Sequence, residues 1–482
     1  MKILNKYLSK YGVIIFAIVT LILTFSRVPF WDETHAFDIS CLKLSEIFQM
    51  TRIEGHTILW YLIVKPFTHL NWYPYQIYII NWLFCVGAIF VLWKKAPFSP
   101  LLKFLISFSF PYLLFFGSVA RCYAIGILFL FLICAYYPTR YKKPYLFASL
   151  VLICANTSVM CALGCFWIGV LFLYELIVRY KKKICSAKIL TDVFLIFLFC
   201  GILLLLQLLF PTKRQIGFEN IFLLQVVNFV IAPYGNNIFS ITLHTIASIL
   251  FYFLPFYLFK NSKKALFLGY SIIVTLTLVF YFVYIGSYWN YYFYFVYFII
   301  FCWLFYKKLF KNKFVKTLIV AVFVMMLFPN SAHERFHMLY IFSSQSNKIS
   351  EYITKHDVFK NAKLYTLEWW SDISPGSNVF LARKGYKMYD YYGYEKRGFE
   401  SLKRTFTYEK MPIDFDDFVS RLDKNERNII LSKGELINKL KVDTLIYDKG
   451  ANRIIETKKG KYVLKIIAYN PELRFIAYEI LW

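Results

Sequence analysis

The sequence predicts a polytopic α-helical membrane protein of about eleven transmembrane helices, followed by a carboxy-terminal α/β domain on the extracytoplasmic side. Three observations point there. Hydrophobic residues make up 59% of the chain and aromatic residues 21%, with a mean hydropathy of +0.52. Apolar runs of membrane-crossing length recur from Tyr11 to about residue 329. From about Asn330 the composition shifts abruptly, with charges every few residues.

The first apolar stretch, Tyr11 to Phe30, is too long for a signal-peptide core and has no small-residue cleavage site, so it is read as a span. Later spans fit residues 75–93, 101–118, 121–138, 144–160, 161–178, 189–210, 238–259, 265–285, 288–306 and 314–329. Basic clusters punctuate them at Lys2/Lys6/Lys10, Lys94/Lys95, Arg140/Lys142/Lys143, Arg179 to Lys183, Lys260/Lys263/Lys264 and Lys307 to Lys313. If each cluster is cytoplasmic, an even number of crossings separates consecutive clusters, and the spans satisfy this. The amino terminus then lies inside. The outer face holds the loop 31–74, the turn 117–121, the loop 211–237, the turn 286–292 and the tail.

The same placement disposes of one partner class. Lys and Arg outnumber Asp and Glu by 55 to 28, a net charge of +27, which in a soluble chain suggests nucleic acid. Here the cations sit between apolar runs as orientation signals, so membrane lipids and no nucleic acid are expected. The ten cysteines lie between Cys41 and Cys302, mostly in apolar runs. They form neither a disulfide framework nor a CxxC-type metal spacing and read as small core residues.

In the tail, "SSQSNKISEYITKH" has a serine before a helical pattern and "ERNIILSKGELINKLKVDTLIYDKG" reads as strand, helix, strand. "GKYVLKIIAYNPELRFIAYEILW" alternates like a hairpin. A folded domain over 330–482 follows. Trp369 and Trp370 suit either carbohydrate stacking or a core.

The first external loop, 31–74, concentrates the chemistry. In "WDETHAFDISCLKLSEIFQM", Phe37, Cys41, Leu44, Ile47 and Phe48 recur at helical spacing, which predicts an amphipathic segment lying on the membrane surface. It would hold the acidic pair Asp32 and Glu33 at headgroup depth. There a carboxylate can remove a proton from an acceptor, or the pair can cap a helix and complement its dipole. In "RIEGHTILWYLIVKPF", Arg52, Glu54 and His56 precede an apolar stretch too short to cross, read as a second surface helix ending at Pro66. His56 can be a base, a phosphate donor or a satisfied interfacial histidine. Arg121 stands alone in "GSVARCYAIGILFLF", where an arginine is paired, turned to a cavity or snorkelling. Its planar fork suits a phosphate or a carboxylate.

Taken in this order, "WDETHAFDIS", "EGHTILWYLIVKPF", "ARCYAIGIL" and "ANTSVMCAL" resemble bacterial integral-membrane glycosyltransferases of the GT-C fold. These are distant relatives of the protein O-mannosyltransferases and the lipid A aminoarabinose transferases. The resemblance covers residues 12–165 and beyond that only architecture, making 1–329 a GT-C-type transmembrane domain. It implies inverting transfer of a hexose or pentose from a polyprenyl-phosphate or polyprenyl-diphosphate donor to an unknown acceptor, on the outer face of a bacterial plasma membrane. It makes Asp32 the base and Glu33 a positioning acid. Arg121 and His56 fall at substrate-binding positions, with Arg52, Glu54, Tyr123 and Asn290 nearby candidates. Two departures stand out. Thr57 replaces the usual proline after the histidine, and Trp289–Asn290 stand where relatives carry an Arg-His pair; if that pair holds donor phosphate, the alternatives here are Lys213, Arg214 or the tyrosines in its place, a different donor, or weaker activity.

No metal is assigned. Asp32, Glu33 and Asp38 supply the oxygen ligands a divalent cation takes, without a ligand spacing, so a divalent cation stays open as a cofactor. A lipid-linked-sugar flippase, a transporter or a polysaccharide polymerase is the alternative. A transporter is expected to carry ionisable residues deep within its spans, whereas these isolated charges gather near span ends.

Overall fold

The computed structural model describes residues 2–27, 29–70, 72–208, 253, 256–260, 262–282, 288–327, 346–366, 381, 384–390, 414–433, 445–449, 452–457, 461–470, 472 and 475–481. By contact the chain divides into two units. One comprises Met1–Ser26, Gly55–Leu62 and Ile77–Leu339, and the other Arg27–Glu54, Ile63–Gln76 and Tyr340–Trp482. The first loop is therefore shared between them. The 31–74 segment does not fall wholly with the helices.

The first unit is helical. Its long elements are α1 (Lys2–Phe25), α5 (Tyr75–Lys95), α9 (Val159–Lys181), α10 (Ala187–Leu208) and α11 (Lys263–Phe282). These supply five helices long and apolar enough to cross a membrane, which marks the chain as membrane-associated. Shorter members are α4 (Leu59–Val64), α6 (Pro100–Ser107), α7 (Tyr123–Tyr136), α8 (Pro144–Ala155), α12 (Tyr288–Leu304) and α13 (Lys313–Met325).

Among the described residues the structure thus has fewer helices of spanning length than the eleven predicted. Local chemistry accounts for two of the differences. The expected span 101–118 breaks after Ser107 and resumes as a π-helical turn, Pro111–Phe116. Pro111 has no N–H with which to continue an α-helix. The expected pair 144–160 and 161–178 divides earlier, because Ser158 caps α9 by accepting from the Cys161 N–H at 3.2 Å. This leaves α8 with 12 residues. The expected loop 211–237, with Lys213 and Arg214, and most of the span 238–259 lie outside the described residues, as do Trp369 and Trp370.

The helical unit has two chemically distinct ends. At one, the predicted basic clusters meet: Arg140 and Lys264 both reach Glu175, and Lys308 Nζ donates to Ser262 Oγ at 3.2 Å. At the other lie the α6–α7 turn, the α8–α9 turn and the start of α12. Close packing between them is set by glycine. A Cβ on Gly164 would lie 2.1 Å from the hydroxyl of Tyr297, which donates to the Met160 carbonyl at 2.7 Å.

The second unit contains α2 (Trp31–Cys41), α3 (Leu44–Glu54), α14 (Ser346–Lys355), α15 (Phe415–Ser420) and a seven-stranded mixed sheet. The strands are β1 (Lys363–Thr366), β2 (Met388–Tyr389), β3 (Asn428–Lys433), β4 (Leu445–Lys449), β5 (Asn452–Glu456), β6 (Lys461–Asn470) and β7 (Phe475–Leu481), in the order β2-β1-β3-β7-β6-β5-β4. β1 pairs in parallel with β2 and β3, and the other pairs are antiparallel. Alternation places Ile429, Leu431, Phe475 and Ala477 against α14, and Ile430, Ile476, Tyr478 and Ile480 against α15. The helix after Ser346 and the final hairpin occur as predicted. The helix expected between β3 and β4 lies outside the described residues.

Candidate functional site

The acidic pair opens α2, and its two members have different surroundings. The chain enters α2 extended at Phe30, with φ −76° and ψ 148°. Glu33, the third residue of the helix, turns its carboxylate back to accept the Phe30 N–H at 2.6 Å. The same carboxylate takes Arg27 Nη1 at 2.6 Å and Nη2 at 2.5 Å, and both side chains are fully buried. Three donors on two oxygens commit Glu33 to holding the turn into α2. Asp32 precedes it in the first helical turn, where exposed N–H groups favour an anion, and is itself buried.

The rest of α2 departs from the predicted surface helix. Every residue from Asp32 to Ser40 is buried. Two of its polar side chains are tolerated because they are bonded: Thr34 Oγ1 and the Tyr73 hydroxyl form a hydrogen bond at 2.6 Å, and Ser40 donates to the Ala36 carbonyl. Lys65 Nζ donates to the Leu42 carbonyl at 2.5 Å, supplying a cation at the negative end of the helix. The half-buried α3 buries Ile47, Met50, Thr51 and Glu54, whereas Leu44 of the predicted apolar face is exposed and Phe48 only half-buried. Arg52 lies over the Phe48 ring at 4.6 Å, one helical turn away.

In the helical unit, His56 and Arg121 come together. Arg121 Nη2 donates to His56 Nε2 at 3.1 Å, and Arg121 is buried. Arginine can only donate, so Nε2 is the acceptor and the ring is neutral in this arrangement. Protonating that nitrogen would replace a hydrogen bond with two adjacent cations. Next to His56, the Ile58 N–H donates to Gln207 Oε1 at 2.8 Å, and Gln207 Nε2 donates to Asn156 Oδ1 at 3.0 Å. The short non-helical segment bearing His56 is therefore tied to the ends of α10 and α8. The turn bearing Arg121 is held by Asn81, whose Nδ2 donates to the Phe116 carbonyl at 3.1 Å. Asn290 Nδ2 donates to the Tyr123 hydroxyl at 3.2 Å, both residues buried. Thr57 Oγ1 and Trp60 Nε1 are also buried, without a hydrogen-bond partner among the described residues.

Of the predicted site residues, the structure pairs His56 with Arg121 and Tyr123 with Asn290 in the helical unit. It places Asp32, Glu33, Arg52 and Glu54 in the sheet-containing unit. Sequence reasoning missed Arg27, whose signal is a single cation six residues before Glu33 at the end of the first apolar run. It also missed Gln207, the lone amide in "CGILLLLQLLF". Among the described residues, no three of His, Cys, Asp and Glu gather as a metal site. Comparison with family models, curated proteins and solved structures finds no match to this chain.

Proposed function

We propose that this protein is a GT-C-type integral-membrane glycosyltransferase, moving a sugar from a polyprenyl-phosphate donor to a lipid, glycan or protein acceptor on the outer face of the plasma membrane. The observation that carries this reading is the pairing of buried Arg121 with half-buried His56 at the non-basic end of an apolar helical unit. A carrier whose prenyl chain stays in the bilayer presents its phosphate at such an end. A desolvated guanidinium stabilises the anion that leaves. Buried Thr57 Oγ1 and Trp60 Nε1 suit hydrogen bonding to a ligand beside it.

In this reading the Asp32 carboxylate takes the proton of the acceptor hydroxyl, whose oxygen attacks the anomeric carbon as the bond to phosphate breaks. The configuration inverts. The polyprenyl phosphate departs as an anion. Base assistance of this kind is worth ~10²- to 10⁴-fold. Glu33 positions the helix bearing Asp32, while Arg52, Glu54, Tyr123 and Asn290 are substrate-binding candidates. The acidic residues of the described spans, Glu175 and Asp192, are bonded at the basic end, which favours an interfacial enzyme over a transporter.

The test is transfer of labelled sugar from polyprenyl-phosphate donors by the purified full chain in proteoliposomes, guided by glycan and lipid extracts of cells with and without the gene. Asp32→Asn should abolish transfer while leaving yield and insertion unchanged. Full activity in that variant rejects Asp32 as the base, and sugar-lipid translocation without transfer rejects the enzyme.

A further inference from the structure

We propose that the basic end of the helical unit carries a binding site for an anionic phospholipid headgroup, built from Arg179, Arg140, Lys264 and Tyr141. This site is independent of the transfer reaction and lies at the other end of the unit from His56 and Arg121.

Its geometry follows from one carboxylate serving too many cations. Glu175 is buried in α9, and its oxygens accept Arg140 Nε at 2.9 Å and Lys264 Nζ at 2.6 Å. Each nitrogen of Arg140 is engaged once, since Nη1 donates to the Tyr137 carbonyl at 2.7 Å and Nη2 to the Tyr141 hydroxyl at 2.8 Å, leaving one N–H on each of these two for a further anion. Arg179 sits one helical turn beyond Glu175, the spacing at which an ion pair normally forms. Both oxygens of that partner are already occupied. The Arg179 guanidinium instead stacks on the Tyr141 ring at 4.3 Å, with the Arg140 guanidinium 4.2 Å from the same ring. Among the described residues the Arg179 guanidinium has no hydrogen bond or ion pair, so its planar fork is oriented by the ring with its donors uncommitted.

The surroundings identify the anion as a lipid. Arg179 occupies the last turn of a 23-residue apolar helix, the depth of headgroup phosphates. The same turns of α9 expose Tyr174, Ile177 and Tyr180, spaced by three along the helix, as an apolar track for an acyl chain. A soluble phosphate has no use for that track. Lys182 and Lys183 follow immediately and add to the attraction.

The experiment titrates the purified full chain in nonionic detergent with phosphatidylglycerol, phosphatidylcholine or inorganic phosphate, reading bound lipid by native mass spectrometry and the apparent melting temperature. Phosphatidylglycerol should bind and stabilise, and the other two should not. Arg179→Gln should weaken phosphatidylglycerol binding on the order of fivefold, Arg179→Lys less, and Lys311→Gln not at all. Because the Arg179 guanidinium makes no hydrogen bond or ion pair among the described residues, these variants should keep the unliganded melting temperature. Equal binding of phosphatidylcholine, stabilisation by inorganic phosphate, or unchanged affinity in Arg179→Gln each overturns the site.

Discussion

Removing the Glu33 carboxylate should destabilise the protein before it affects any chemistry. Glu33→Ala leaves the Arg27 guanidinium buried without its two bonds at 2.5 and 2.6 Å and strips the Phe30 N–H of its acceptor at 2.6 Å. Breaking one side of a buried ion pair costs about 3–5 kcal/mol, and losing a helix-entry bond adds about 1 kcal/mol. Arg27→Ala should cost a similar amount by stranding the carboxylate. The double variant Arg27→Leu/Glu33→Leu should be less destabilised than either single change, because neither charge is then buried alone. Glu33→Gln, which keeps the shape and one acceptor, should fall between wild type and Glu33→Ala. The assay is thermal and denaturant unfolding of the detergent-purified chain, with limited proteolysis of the 27–54 segment. Single variants within about 1 kcal/mol of wild type, or a double variant equal to the sum of the singles, would refute a structural role for Glu33.

Gln207→Leu removes the acceptor of the Ile58 N–H and a partner of Asn156, so it should cost about 1–3 kcal/mol for each group left unsatisfied. It should also speed carbethoxylation of His56, measured by mass spectrometry, while Leu206→Ala leaves that rate unchanged. In the sheet, hydrogen bonding to Arg427 holds the Glu479 carboxyl below its ordinary range. A lowered folded value means the contribution is fully present above the unfolded pKa of about 4.3 and is lost as pH falls through the folded value. Hydrogen exchange in β3 and β7 of the full chain should therefore accelerate on acidification below that point, and Glu479→Gln should flatten the dependence.

The parts of the fold legible in sequence are those written in local periodicity. Apolar runs gave the order of the long helices, and alternation in "KYVLKIIAYN" and "RFIAYEIL" gave the β6–β7 hairpin, but not its register, which shifts between Ile466 and Ala468. Element ends were less legible where backbone chemistry intervened, as at Pro111 and Ser158. The helix-entry role of Glu33 was one of two readings of the acidic pair. The usual signature begins with Ser or Thr, and here Phe30 occupies that place.

By itself the sequence determined that this chain has membrane-length apolar helices, basic clusters between them and a charged tail able to form strands, because each depends on neighbours within a few residues. Tertiary structure alone decided which donors meet which acceptors. Glu33 rather than Asp32 holds Arg27, Arg121 meets a histidine 65 residues away, and Ile58 is tied to an amide 149 residues away. Buried polar groups must find partners wherever packing brings them, so these pairings are set by how the elements assemble and not by spacing along the chain.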